Sequence, residues 1–304
     1  MSINLSYIII TYNSADFIGN CLNSIARQQS NEITSEVILI DNASKDLTVE
    51  IVRKKFPQVI LRENRENVGF AVAVNQAFSL SKGEHVLLLN PDTILNDNFI
   101  NQLFSFVNRT PDASIIGVKI VDENNRHHPS TWKKVSFLTL LAEMLLPYST
   151  SINLVTENPN TQAQVENVSG ACMYIRRDVF EAMNGFDERF FLYYEEIDFC
   201  RRANKSGYKV YYNPYIEVVH FAAKSSSNDR ESFFFNLYHN KILFIRKHYS
   251  YPFYVVVFIL VLIGLLLRAA VSFIAGCLSF RKHLFSLSKS LILVLVKIIK
   301  SNYH

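Results

Sequence analysis

Carboxylates placed directly after apolar runs are the side chains of this sequence best suited to chemistry. Asp92 follows the run His85–Asn90 and a turn-forming Pro91. A carboxylate so placed can hold a hard divalent cation, Mg2+ or Mn2+, against a diphosphate whose charge must be stabilised as a bond to it breaks. Asn-Pro-Asp would serve equally as a turn with a helix cap. Asp41 ends another apolar run, within Asp41-Asn42-Ala43-Ser44-Lys45-Asp46. There it can accept hydrogen bonds from a base N–H or a ribose hydroxyl. The competing use is an Asx-turn and helix cap, which Ser44 or Asp46 could also supply.

The segment Tyr193-Tyr194-Glu195-Glu196-Ile197-Asp198 places three carboxylates within four residues, beside aromatic rings. Mutual repulsion and desolvation both raise a carboxyl pKa toward a value useful to a general base. Glu196 and Glu195 are the candidates for that role. Asp198 is better placed to accept from Arg201 or Arg202 and fix a helix, although an acidic helix start favoured by the helix dipole accounts for the cluster too. His220 closes the apolar run Ile216–Val219, where a neutral imidazole could join Asp92 at a metal, or be structural. Asn67-Val68-Gly69-Phe70 opens a helical stretch, and Gly69 permits close backbone approach of an anionic diphosphate to its N-terminus.

These residues need elements to carry them. Leu5–Thr11, Glu36–Asp41, Val59–Glu63 and His85–Asn90 read as buried strands, and Ala15–Gln28, Leu47–Phe56 and Gly69–Ser81 as amphipathic helices between them. That alternation predicts an α/β fold with a Rossmann-like, doubly wound, mostly parallel sheet. Ligands of such sheets bind at the carboxyl ends of the strands, which singles out Thr11-Tyr12-Asn13, Asp41-Asn42 and Asn90-Pro91-Asp92. Residues 122–166 read as a variable insertion with one apolar helix near Phe137–Leu146. Order returns with Gly170–Arg176 as a strand, Asp178–Met183 as a short helix and Glu196–Ser206 as a helix. A domain over residues 1–248 followed by an apolar, basic tail over 249–304 is the expected division.

Charge is distributed unevenly. Residues 1–231 carry 22 Lys/Arg and 27 Asp/Glu, whereas residues 232–304 carry nine Lys/Arg and no acid. A basic, apolar tail on a mildly acidic body suits an anionic membrane surface and argues against nucleic acid, which calls for a basic body. Twenty uncharged residues separate Lys247 from Arg268, and twelve separate Arg268 from Arg281. A span, a re-entrant hairpin and an interfacial helix all suit that length. Lys289, Lys297 and Lys300 among aliphatic residues of Leu284–Lys300 suit a helix in the interface. Leu5–Ile10 is too short for a signal peptide and no basic segment precedes it, so the body is expected in the cytosol, with Cys21, Cys172, Cys200 and Cys277 reduced and buried.

Taken together, Ile8-Ile9-Ile10-Thr11-Tyr12-Asn13, Asp41-Asn42-Ala43-Ser44, Asn67-Val68-Gly69-Phe70 with Asn75, and Leu88-Leu89-Asn90-Pro91-Asp92-Thr93 form an ordered series. Gly170-Ala171, Gly185-Phe186-Asp187-Glu188 and Glu195-Glu196-Ile197-Asp198 continue it. Over residues 4–248 the series resembles family 2 glycosyltransferases of the GT-A fold, especially the rhamnosyltransferase-like branch that builds bacterial surface polysaccharides. The resemblance implies an inverting, metal-dependent transfer of sugar from a nucleotide-sugar donor to a lipid-linked or growing glycan at the cytoplasmic face of a membrane. It implies that Asp41 contacts the nucleobase and that Asp92 takes the place of the second Asp of a DxD motif, with Asn90 replacing the first. Glu196 falls where relatives carry the catalytic base, with Glu195 as its rival. Gly170-Ala171 is placed near donor sugar and acceptor, and His220 at the metal. The branch implies dTDP-rhamnose as donor, on a scaffold that UDP-sugars also use. A non-catalytic nucleotide-sugar-binding scaffold is the alternative. A processive synthase is a further one, disfavoured because the single tryptophan, Trp132, lies outside any Gln-x-x-Arg-Trp context.

Overall fold

The computed structural model describes residues 4–28, 33–145, 156–221, 230–279 and 281–301. In chain order these form β1 (Leu5–Thr11), α1 (Ala15–Ala26), β2 (Ser35–Asp41), α2 (Thr48–Lys55), β3 (Ile60–Glu63), α3 (Phe70–Leu80) and β4 (His85–Leu89). There follow β5 (Thr93–Leu95), α4 (Phe99–Arg109), β6 (Ala113–Val121), β7 (His127–His128), α5 (Phe137–Leu145), β8 (Ala163–Gln164) and β9 (Cys172–Arg176). The last elements are α6 (Arg177–Ala182), α7 (Glu195–Lys205), β10 (Lys209–His220), α8 (Arg230–His248), α9 (Tyr251–Ser279) and α10 (Lys282–Ser301).

The chain folds as two compact units. The first comprises Met1–Lys133, Thr156–Phe191 and Glu195–Ser225. Its sheet runs in the order β3-β2-β1-β4-β9-β6-β10-β5. Every residue of β1 is buried, because helices cover both faces of a central parallel strand, and its sequence is accordingly almost continuously apolar. Helix α1 turns Ile18, Cys21, Leu22 and Ile25 toward the core at helical spacing. The pairs β1/β2, β1/β4 and β2/β3 are parallel, as the alternation of strands and helices requires. From β1 the chain winds outward to β2 and β3, then returns to place β4 on the other side. That reversal opens a crevice at the carboxyl ends of β1 and β4.

The remainder of the sheet is mixed. Strand β9 runs antiparallel to both β4 and β6, β6 is parallel to β10, and β5 is antiparallel to β10. The mostly parallel sheet read from the sequence is therefore a parallel half joined to a mixed half. Gly117, in β6, packs so closely on Val168 that an added Cβ would lie 2.4 Å from the valine Cβ.

The second unit comprises Lys134–Val155, Leu192–Tyr194 and Ser226–His304, with α5, α8, α9 and α10 as its helices. The apolar helix expected within 122–166 is α5, with Leu146 outside the described residues. Its Glu143 carboxylate pairs with Lys241 of α8, and its Glu143 carbonyl accepts from Arg268 of α9. Helix α9 is long and apolar enough to cross a membrane by length and composition. Cys21, Cys172 and Cys200 are buried free thiols, but Cys277, on α9, is exposed and departs from the expectation of four buried cysteines.

Overpacking at Gly117 gives a direct test of the β6 register. Gly117→Ala should lower stability by about 1–3 kcal/mol, read as a fall in Tm, and adding Val168→Gly, which removes the clashing Cβ, should give a total loss smaller than the sum of the two single losses. Additive losses in the double variant would refute the close approach.

Candidate active site

The first cluster lies where β1 and β2 end. Asp41 is 1% exposed. Its Oδ1 accepts from Thr11 Oγ1 at 2.8 Å and Ser44 Oγ at 2.5 Å, and its Oδ2 from the Ser44 amide at 2.8 Å. The Asn13 amide donates to Ser44 Oγ and the Lys45 amide to Asn13 Oδ1, both at 2.8 Å. Asn13 and Ala43 accordingly take left-handed backbone, φ 51° and 63°. Capping falls to Asp46, which accepts from the Ala15 amide at 3.0 Å and from the Thr48 amide at 3.0 Å. Asp41 is thereby left as a positioned carboxylate at the sheet edge and not as a helix cap, with the half-exposed Tyr12 following Thr11, the register partner of Asp41 in β1.

Asn42 extends the cluster by donating to the Gly69 carbonyl at 3.1 Å while accepting from Asn64 at 2.8 Å. At the start of α3 the Gly69 amide donates to Asn67 Oδ1 at 3.0 Å, and the Phe70 amide to the Phe191 carbonyl at 2.7 Å. Two of the amides at this terminus thus have protein acceptors. Gly69 has φ 87°, and a Cβ there would meet the Phe191 carbonyl oxygen at 2.8 Å, so glycine is required for this contact.

Asp92 and His220 meet because β5 and β10 pair in a register that sets His220 opposite Thr93. His220 Nε2 lies 3.1 Å from Asp92 Oδ1 and 3.2 Å from Asn90 Nδ2. The backbone reinforces the arrangement, with the Phe221 amide donating to the Asp92 carbonyl at 3.1 Å. Adjacent ligands of an octahedral cation with bonds of about 2.1 Å lie about 3 Å apart, so this pair fits one edge of such a shell. Among the described residues no group of three or more His, Cys, Asp or Glu could hold a metal. A cation on Asp92 and His220 would therefore complete its shell with diphosphate oxygens and water, as Mg2+ commonly does.

Gly170-Ala171 links this loop to the acidic pair. The Ala171 carbonyl accepts from the Asn90 amide at 3.0 Å and from Thr93 Oγ1 at 3.2 Å. A Cβ on Gly170 would touch Glu196 Cβ at 3.7 Å. Glu195 is 5% exposed and Glu196 is partly buried. The Oε2 atoms of both lack a hydrogen-bond partner among the described residues. Burial pushes the Glu196 carboxyl up to about 7, against the lowering effect of its own and the Ile197 amides. Burial, then the charge of Glu196, holds Glu195 well above the usual carboxylate range.

The chain is fixed on either side of the pair, within each unit by that unit's own bonds. Ahead of it, Tyr193 and Tyr194 both take left-handed backbone, φ 73° and 74°, a conformation costing about 1–2 kcal/mol for each residue with a Cβ. Asn240 of α8 holds it by donating to the carbonyls of Leu192 at 2.8 Å and Tyr193 at 3.1 Å. Behind it, Asp198 accepts from Arg202 at 2.7 Å, and the same guanidinium donates to the Met183 and Gly185 carbonyls. Asn75 fixes the Gly185 loop, accepting from the Phe186 amide at 2.9 Å and donating to the Phe186 carbonyl at 3.0 Å. Asn240 could not be picked from the sequence, because nothing near it in the chain marks its reach to Tyr193. Ser44 stood in a recognised motif, but its bridging of Asn13 to Asp41 is visible only in three dimensions.

This architecture is that of GT-A glycosyltransferases. Residues 6–183 match glycosyl transferase family 2, more than half of the chain, and the chain belongs to that family. It is 27% identical over 264 residues to the N-acetylglucosaminyl-diphospho-decaprenol L-rhamnosyltransferase of Mycobacterium tuberculosis, covering 81% of this chain and 85% of that one. Rhamnosyltransferase WbbL of Escherichia coli is also 27% identical, over 55% of this chain and 62% of its own. The mannosyltransferase PcManGT of Pyrobaculum calidifontis, solved with GDP-Man and Mn2+, superposes with a TM-score of 0.57 at 18% identity, over 98% of this chain and 88% of that one. Staphylococcus aureus TarS 1–349 with UDP-GlcNAc gives a TM-score of 0.54 at 20% identity, over 80% of this chain and 66% of that fragment.

The raised Glu196 carboxyl has a consequence for stability. Its pKa is about 7 in the folded chain against 4.5 for the ordinary group, so the folded state binds the proton more tightly than the unfolded state. Stability must then fall as pH rises from about 4.5 to 7, with the loss complete above that window. Glu196→Gln should therefore gain Tm over the parent at pH 8 and little at pH 5. A gap that stays constant between those pH values would refute the buried placement.

Proposed function

We propose that this glycosyltransferase is inverting and metal-dependent, moving rhamnose from dTDP-rhamnose to a lipid-linked or growing surface glycan at the cytoplasmic face of a membrane. One observation carries the reading: Gly170-Ala171 bonds to the Asn90–Thr93 loop through its carbonyl and abuts Glu196 at its glycine. This contact of one short segment with both motifs supports a reading in which Asp92 and Glu196 serve one site.

In this reading Asp41 accepts from the nucleobase, and Thr11, Tyr12 and Asn13 wall the nucleoside, with Asn67 and Gly69 shaping the neighbouring helix start. Asp92 and His220 would hold Mn2+ or Mg2+, which supplies charge stabilisation for the departing nucleoside diphosphate. Asn90, 3.2 Å from His220 and in the same loop as Asp92, belongs to the donor-binding set. Glu196 takes the proton from the acceptor hydroxyl as that oxygen attacks the anomeric carbon. The bond from that carbon to the diphosphate oxygen breaks on the opposite face, which inverts the configuration. Glu195, held protonated by burial and by the charge of its neighbour, leaves Glu196 as the group that titrates near neutrality. Two relatives with rhamnosyltransferase names support the sugar, and the decaprenol diphosphate in the mycobacterial name supports a lipid-linked acceptor.

The deciding experiment measures donor binding and hydrolysis over a panel of nucleotide sugars with and without Mn2+ or Mg2+. Wild-type protein should recognise dTDP-rhamnose in a metal-dependent way, and Asp92→Ala should lose that dependence. Glu196→Gln should keep donor binding but lose transfer by about 100- to 10,000-fold. Wild-type kcat/KM should rise about tenfold per pH unit below pH 7 and level above it, because the base must be deprotonated. Binding of a donor with no turnover in the wild type would instead favour a nucleotide-sugar-binding scaffold.

A further inference from the structure

We propose that the second unit lies flat on an anionic bilayer, with α9 in the interface and not across it, and with α5 sharing the contact. This rests on the membrane association in the preceding reading and adds its geometry. Val256, Ile259, Ile263, Leu267, Ile274 and Leu278 of α9 are all exposed. At 100° per residue they fall, together with the likewise exposed Leu266, Val271 and Phe273, within an arc of about 160°. Arg268 lies on the other side, among the buried Val257, Val261, Leu265 and Ala269.

The packing of α9 decides between crossing and lying flat. Arg268 donates to the Glu143 carbonyl, and the Glu143 carboxylate pairs with Lys241 of α8. Helix α10 is tied to α8 as well, through Lys297 to Glu231 at 2.5 Å and Ser301 to His239 at 3.3 Å. Arg268 lies about 25 Å along the helix from Tyr251, close to the thickness of a hydrocarbon core. A crossing α9 would therefore draw α5 and α8 into the hydrocarbon, including Glu231, Arg246 and Lys247, in addition to Lys241, which is already buried against Glu143. Charges at that depth are strongly unfavourable. Lying flat avoids the conflict: the apolar stripe faces the acyl chains and α8 faces water. Charge selects an anionic surface. Residues 232–304 hold nine Lys/Arg and no acid, and Lys282, Lys289 and Lys300 of α10 are exposed. Phe137 and Leu138 of α5 are exposed too, Leu138 at 74%.

The test uses the full chain and vesicles of phosphatidylcholine with or without phosphatidylglycerol. Flotation should be much stronger with phosphatidylglycerol. Lys282→Gln, Lys289→Gln and Lys300→Gln should each weaken it about fivefold, and Leu138→Glu should weaken it as well. Nitroxide labels at Val256→Cys, Leu267→Cys and Leu278→Cys, in a Cys277→Ser background, should report one shallow depth from collisions with oxygen and a water-soluble nickel complex. A deep Leu267 label between two shallow ones would mean that α9 crosses, overturning the geometry while leaving membrane association intact. Flotation indifferent to phosphatidylglycerol would overturn the anionic surface, and an unaffected Leu138→Glu the part of α5. No flotation with any vesicle would overturn membrane association itself, while donor recognition would still stand or fall separately.

Discussion

Keeping two adjacent carboxyl groups largely out of water is the constraint around which the candidate site is organised. Glu195 and Glu196 each carry a buried oxygen without a hydrogen-bond partner among the described residues. Buried acid of this kind is destabilising when charged, so it persists only where surrounding structure over-determines its position. The surrounding structure is visible on both sides: Asn240 with the two left-handed tyrosines ahead, and the Arg202–Asp198 pair anchored to the Gly185 loop behind. The anchors are themselves hydrogen-bonded, which lets the acids alone remain short of partners.

The contrast with Asp41 shows how one fold gives the same functional group different surroundings. Asp41 is as buried as Glu195, yet it collects two hydroxyl donors and an amide, which fix its orientation at the sheet edge. Glu196 has no such donors from side chains, and burial moves its titration to neutrality. In the proposed reading, environment and not residue type separates a recognition carboxylate from a base.

The parallel half of the sheet was legible in the sequence because its strands are buried on both faces and so read as unbroken apolar runs, as in Leu5–Thr11. The motifs at their carboxyl ends followed from that placement. The mixed half was less legible. Strand β9 lies between β4 and β6, and no local pattern tells a strand which neighbour it will meet or in which direction. The meeting of Asp92 with His220 depends on the β5/β10 register across a long separation in sequence, which spacing alone could suggest but not place. Asn240 was invisible for the same reason. Its neighbours in the chain, Tyr238-His239 and Lys241-Ile242, mark no site, and its partners lie 47 and 48 residues away.

The apolar tail was recognised from composition, but composition cannot orient a helix. What orients α9 is the single charge within it. Had Arg268 faced outward on the apolar stripe, it would have had to snorkel to the headgroups from any embedded position. It instead turns inward to the carbonyl of Glu143, a residue from the insertion whose own carboxylate is bound to Lys241. The insertion is thereby tied to the tail, and α9 to a helix that carries too many charges to leave water. A long apolar sequence is thus held to one surface by the polar company it keeps. In the proposed flat arrangement, a charge that looks like an interruption of a membrane span is the point that argues against forming one.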